Sequence, residues 1–138
     1  MEKILFNDSL HAEESFYQAF CTRDIGLMRD VWSQSDNVIC IHPGNHRIYS
    51  YELIIASWEQ IFSGNEPTSI EIDEQVHTIE DDMAIHSVKE KLSIDDKYVG
   101  SVFATNIYRN SSQGWKMILH HASPTLTNNE YPTSSTLH

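Results

Sequence analysis

The chain has 138 residues, with 9 basic against 20 acidic side chains and a formal net charge of −11. That balance excludes broad contact with nucleic-acid phosphates or anionic membrane surfaces, both of which need clustered Lys and Arg. With 40% hydrophobic residues the chain can bury one core of ordinary domain size, so disorder throughout is excluded too.

Asp8 and Ser9 are N-cap candidates for a first helix, and Glu13 and Glu14 follow near its positive end. Leu10, Phe16, Tyr17, Phe20 and Cys21 recur at helical spacing. Asp24 caps a short second helix through Ile25, Met28, Val31 and Trp32. Val38-Ile39-Cys40-Ile41 reads as a short buried strand that Pro43-Gly44 ends. Ser50 caps a third helix with a stripe of Tyr51, Ile54, Ile55, Trp58, Ile61 and Phe62. Gly64 and Pro67 stop it.

From Thr68 the period becomes two. Ile70, Ile72, Val76 and Thr78 share one parity. After a turn at Glu80-Asp81-Asp82, so do Ala84, His86, Val88, Glu90, Leu92 and Ile94. Asp95-Asp96 turns into a strand from Tyr98 to Arg109, and Asn110 to Gly114 turns into the last one, Trp115 to Ser123. Four long strands joined by tight turns predict an antiparallel meander. Three helices followed by such a sheet make an α+β domain, whose helices can bury their stripes only on one sheet face. A bent sheet around helices leaves a concave cavity suited to a small ligand. Val99, Phe103 and Ile107 on the opposite face point to a homodimer through the sheet.

The first residues carry neither the positive charge nor the apolar core of a secretory leader, and no apolar run approaches a membrane span of about 20 residues. A cytoplasmic location is therefore expected. Cys21 and Cys40 form no Cys-x-x-Cys pair and read as small buried apolar residues.

The order of elements resembles the NTF2-like superfamily, and within it the SnoaL-like, ketosteroid-isomerase-like group. The resemblance is carried by Asp24-x-x-x-Met28-x-x-x-Trp32, Ile41-His42-Pro43-Gly44, Ile54-x-x-x-Trp58-x-x-Ile61-Phe62 and the stretch Gly114 to Ser123. It implies a cone over residues 1–123, with three N-terminal helices on a strongly curved antiparallel sheet and a pocket at the open end. The dimer through the sheet is implied as well, and residues 124–138 are left as a polar tail, poorly ordered or an extended arm. It implies no single function, because the group is similar in shape across isomerases, dehydratases, cyclases, transport factors and association domains. Ketosteroid isomerases use a pocket tyrosine and two aspartates. Tyr17 matches the tyrosine, whereas Asn37 to His42 holds no carboxylate and the third long strand offers Thr105 and Asn106. Where polyketide cyclases carry a late aspartate, this chain has His120, His121 and Ser123.

Three residues are candidates for catalysis. His42 ends the first strand at the expected pocket mouth, as an acid, base or donor, or as a strand-end histidine bonding to loop backbone. Glu90 lies on an apolar strand face between Val88 and Leu92, where a carboxyl pKa rises; solvent or a cross-strand lysine is the alternative. His121 shares parity with Trp115, Met117 and Leu119 and so faces the pocket, with His120 toward the dimer side, unless a bulge reverses the pair. Tyr17, Trp32, Trp58, Phe62 and Asn106 are candidate pocket-lining residues, the aromatics equally readable as core. No cofactor fingerprint appears, and no metal is expected. His42 and His46 are separated by Pro43-Gly44, and a set of His42, Glu90 and His121 needs a convergence that spacing does not supply. Residues 63–100 hold ten acids and three bases, so a neutral or cationic, partly apolar small molecule is the favoured ligand. Two functions fit. One is a pocket that binds or transforms such a molecule by cofactor-free proton transfer (isomerase, dehydratase or cyclase-like). The other is a non-catalytic dimerisation or protein-interaction module.

Overall fold

A computed structural model describes residues 5–35, 37–64 and 67–125. From residue 126 on, the expected tail lies outside the described residues.

The helices begin where short polar side chains can satisfy amides that a helix leaves unpaired. Asp8 accepts from the His11 amide at 2.7 Å and starts α1 (Ser9–Thr22). Asp24 accepts from the Leu27 amide at 3.0 Å and starts α2 (Ile25–Val31). Ser50 accepts from the Leu53 amide at 3.1 Å and starts α3 (Tyr51–Phe62). The buried face of α1 runs through Ser9, Ala12, Glu13, Phe16 and Tyr17, so it carries polar groups into the interior. Leu10 and Cys21, expected inward, lie on the helix flank and are exposed. Only Cys40 is a buried thiol.

The strands are β1 (Ile39–Ile41), β2 (Arg47–Ile48), β3 (Thr68–Glu80), β4 (Met83–Ile94), β5 (Lys97–Ser111) and β6 (Gly114–Pro124). They form one six-stranded sheet in the order β2-β1-β6-β5-β4-β3. The four long strands are the expected antiparallel meander. The short β1 joins β6 in parallel, with Cys40 opposite His120. β2 is only two residues long and leaves no period to read. The β4–β5 turn sets Asp95 and Asp96 at φ 55° and 65°, the two left-handed residues of a hairpin turn whose twist matches the sheet. Helix α1 lies across β3, β5 and β6, and Trp32, Phe16, Met28, Ile54 and Met117 fill the layer between helices and sheet.

Three bulges bend the sheet and change which side chains face inward. In β3 two residues, Glu74 and Gln75, stand opposite Val88 alone. Beyond that bulge His77 instead of Val76 shares the inner face with His86, and Val76 is 64% exposed. A second bulge interrupts β4 and β5 at Leu92/Ser93. The third leaves Ile118 without a partner in β5, so Met117 and His120 both point inward while His121 points out.

Gly114 sits at φ 85°, and a Cβ there would lie 2.9 Å from the Phe6 carbonyl oxygen. Gly44, at φ 75°, has open space around it. Gly44→Ala is expected to cost about 1 kcal/mol from the left-handed backbone alone. Gly114→Ala should cost roughly 2–4 kcal/mol, because the clash with backbone adds to the same penalty. Urea denaturation of both variants checks the order; equal losses would refute the backbone contact.

Candidate functional site

At the open end of the sheet a cavity of about 110 Å³ lies between α1, α3 and the inner strand faces. Phe16, Phe20, Trp58, Ile61, Ile70 and Leu92 give it apolar walls, and His42, Glu90 and His120 are its ionisable groups.

β4 brings Glu90 to the cavity on the same inner parity as Ala84, His86 and Val88. One carboxylate oxygen accepts the Tyr17 hydroxyl at 2.6 Å. Among the described residues nothing donates to the other oxygen. Burial dominates its titration and raises the pKa to about 7, against the lowering effect of the Tyr17 hydrogen bond and with a further push from the Glu13 charge. Burial and the nearby Glu90 charge raise Tyr17 well above the ordinary phenol value, so it stays a donor.

Asn106 on β5 stands behind this pair. Its amide nitrogen donates to the Tyr17 oxygen at 2.9 Å and to Glu13 at 3.2 Å. In that orientation its carbonyl oxygen accepts from His120 Nδ1 at 2.6 Å. Burial, with the charges of His42 and His121, lowers the His120 pKa to about 3. The ring is therefore neutral, protonated on Nδ1, with Nε2 left as an acceptor.

His42 holds a complementary position. The Ser57 hydroxyl spends its proton on the Ile54 carbonyl at 2.6 Å, so at 2.9 Å from His42 Nε2 it accepts. His42 thus carries its proton on Nε2, and burial lowers its pKa. Its ring meets Trp58 edge-on at 4.7 Å. The Cys40 thiol beside it is pushed well up by burial and by Glu90, which keeps it a protonated, apolar wall residue.

Of the residues singled out from the sequence, the structure brings His42, Glu90, Trp58, Tyr17 and Asn106 together. Phe62 packs behind Trp58 and Phe20, tilted against the first and edge-on to the second, without lining the cavity. Two placements are corrected. His121 is exposed on the outer face, because the β6 bulge gives its place to His120. Trp32 is buried at the opposite end of α2, where it meets Met117, and borders a separate polar hollow with Arg29 and Lys116. Sequence reading passed over Glu13, Tyr108 and His77. Glu13 was legible as the residue one helical turn before Tyr17 on the same face; His77 was hidden by the β3 bulge.

Glu13 is buried with Asn106 and Tyr108 donating to it at 3.2 Å and His86 Nδ1 3.0 Å away. Burial alone would raise its carboxyl; His86 and these donors hold it below the ordinary range. Together with His77 and His86 it makes the one group of potential metal ligands found among the described residues. His42, Glu90 and His121 do not form one, since His121 faces away.

Residues 10–127 match the SnoaL-like domain family. The chain belongs to that family, within the NTF2-like superfamily. A structure from Thiobacillus denitrificans, provisionally assigned as a calcium/calmodulin-dependent protein kinase type II association domain, is 33% identical with a TM-score of 0.79, covering 90% of this chain and all of that one. An NTF2-like protein from Streptomyces avermitilis, provisionally assigned as a dehydratase, is 26% identical with a TM-score of 0.77, covering 84% of this chain and 92% of that one. The F-box protein SKIP8 of Arabidopsis thaliana is 29% identical over 119 residues, 83% of this chain. This chain spans about half the length of that relative, 48%. The SnoaL-like fold accounts for the cone and its open end and is shared by members with different roles. The described helices include none long and apolar enough to cross a membrane.

The raised pKa of Glu90 has a thermodynamic consequence. Between the ordinary value of 4.5 and about 7 the folded protein binds a proton that the unfolded chain has lost. Stability from this group is therefore full below pH 4.5 and falls as pH rises toward 7, by roughly 3 kcal/mol. Glu90→Gln removes that loss. The variant should gain on the wild type steadily from pH 4.5 to 7 in urea denaturation, and a pH-independent difference would refute the buried, raised carboxyl.

Proposed function

We propose that the cavity binds a small, mostly apolar, neutral or cationic molecule and moves a proton on it without a cofactor. The observation that carries this reading is Glu90: a buried carboxyl with a pKa of about 7, one oxygen held by Tyr17 and the other free, on the wall of an apolar cavity. A group poised near neutral pH can both take and return a proton. Its companions divide the remaining work. His42 and His120 offer a bare ring nitrogen each, and Tyr17 and Asn106 orient Glu90 from behind. The size of the cavity limits the substrate. A cavity of about 150 Å³ accepts benzene, so 110 Å³ admits a fragment smaller than benzene. The provisional dehydratase name of the Streptomyces avermitilis structure belongs to the same class of proton-transfer chemistry. A cytoplasmic setting is consistent with two cysteines kept as thiols.

A small ketone such as acetone tests the proposal. Exchange of its α-protons into D₂O, followed by proton NMR, should be accelerated by the wild type. Glu90→Gln should lose about 10²–10⁴-fold of that acceleration, with the far-UV spectrum unchanged. Equal rates for the two proteins would sink the proposal.

A second reading, a dimerisation module, is favoured by one observation. On the outer sheet face Ile85, Ile107 and Leu119 line up across β4, β5 and β6, and Phe103 lies on the same side, 46% exposed. Such an apolar row fits a second copy of the chain packed sheet to sheet. The association-domain name of the Thiobacillus denitrificans structure supports assembly in the same way. Light scattering should give a dimer mass for the wild type and a monomer mass for the double variant Ile85→Lys, Phe103→Glu; a wild-type monomer would remove this reading. Proton transfer and dimerisation use opposite faces of the sheet and do not compete.

A further inference from the structure

A second cluster lies next to the cavity, under α1 and against the β3 edge. Glu13, His77 and His86 each present one ligand atom, and the three atoms lie within 4.8 Å of one another. His86 Nδ1 is 3.0 Å and His77 Nε2 is 3.7 Å from the Glu13 carboxylate oxygens. The two imidazole rings are 4.2 Å apart between centroids, tilted by 52°.

His86 is fully buried, yet its Nδ1 makes no hydrogen bond. It stands close to Glu13 without the line-up that a shared proton requires. A buried polar atom left unmade is costly and calls for an explanation. The other ring nitrogen supplies part of one. Nε2 lies 2.9 Å from the Ser9 hydroxyl. If Nε2 carries the proton and Ser9 accepts it, Nδ1 is a bare lone pair facing a carboxylate. Two electron-rich atoms at 3.0 Å repel unless a cation lies between them: a proton on Nδ1, through which His86 steadies the Glu13 charge, or a metal ion that replaces it. Donation of the far ring N–H to a fixed oxygen is also the arrangement that orients a metal-ligating histidine.

The β3 bulge supplies a second, independent sign. It turns the apolar Val76 into solvent and brings His77 to the inner face beside His86. A sheet loses burial by that exchange, and bulges that re-aim a side chain are common at functional sites. Glu13 is restrained as well, by donors from Asn106 and Tyr108.

We propose that Glu13, His77 and His86 form a binding site for a first-row divalent transition metal, with zinc the fitting probe. Two imidazoles and a carboxylate suit such ions. In a tetrahedral zinc site with bonds of about 2.0–2.1 Å, ligand atoms stand about 3.3 Å apart. The contacts of 3.0 and 3.7 Å lie near that value but end on different oxygens of Glu13, and the three ligand atoms lie within 4.8 Å of one another, so the side chains close in slightly on the ion. His77 is partly exposed, with 26% of its side chain accessible, so an ion can enter from the β3 edge and keep water as a further ligand. The metal would fix Glu13 and, through it, the Asn106 amide that also serves Tyr17 and His120.

The test uses the full, untagged chain after chelator treatment and dialysis. Zinc added in competition with a chromophoric chelator should bind at one equivalent per chain. Cobalt(II) should give the visible d–d bands of a low-coordinate site with nitrogen ligands. His77→Ala, at the partly exposed ligand, should weaken zinc binding by about 100-fold or more. Ser9→Ala should weaken it by about 10–100-fold through the freed His86 ring. His46→Ala, in the exposed turn after β1, should leave it unchanged. Native mass spectrometry of each variant reports whether it remains folded and how much metal it holds. No stoichiometric zinc on the wild type would overturn the site, and so would binding that survives His77→Ala or is lost in His46→Ala.

Discussion

The Asn106 side chain ties the interior together. Its amide nitrogen holds Tyr17 and Glu13, both on α1, and its oxygen holds His120 on β6. The first helix and two adjacent late strands are thus locked in one orientation by one amide. Burying two carboxylates in a domain of this size is unfavourable unless donors surround them. Asn106, Tyr17 and Tyr108 are those donors, and each is itself buried. Because every member satisfies another, the network fixes the register of α1 on the sheet more sharply than apolar contacts do.

The same network gives two neighbouring carboxylates different characters. Glu13 sits among an imidazole and two neutral donors and is held ionised. Glu90 has one donor, an apolar cavity and a neighbouring negative charge, and so keeps its proton up to about pH 7. Environments that separate the pKa values of nearby acids are how a fold assigns roles to chemically identical groups. Here the ionised one anchors the scaffold and the poised one faces the cavity.

Much of this was legible locally. The three helix caps at Asp8, Asp24 and Ser50, the four hairpin strands and the inward parity of His86, Val88 and Glu90 follow from interactions within a few residues. His42 and Tyr17 were legible for the same reason, one at a strand end before Pro43-Gly44, the other on an amphipathic stripe. His121, Val76 and Cys21 were misplaced by that reasoning. Each error came from continuing a regular period through a point where the packing of other elements breaks or overrides it: Ile118 in β6, Glu74-Gln75 in β3, and the end of α1, where the exposed Cys21 sulfur bonds to the Ile70 backbone of β3.

By itself, then, the chain's local pattern determined the order of the helices and long strands, the caps, the turns and the apolar end of the cavity, since all of these depend on short-range sterics and period. Only the tertiary structure decided which histidines face inward, which carboxylate keeps its proton and which side chains meet at Asn106. Bulges are set by the pairing of partner strands, and pKa values by what is buried alongside. Both are properties of contacts between residues up to 95 positions apart, as with Tyr108 and Glu13, and no local period encodes them.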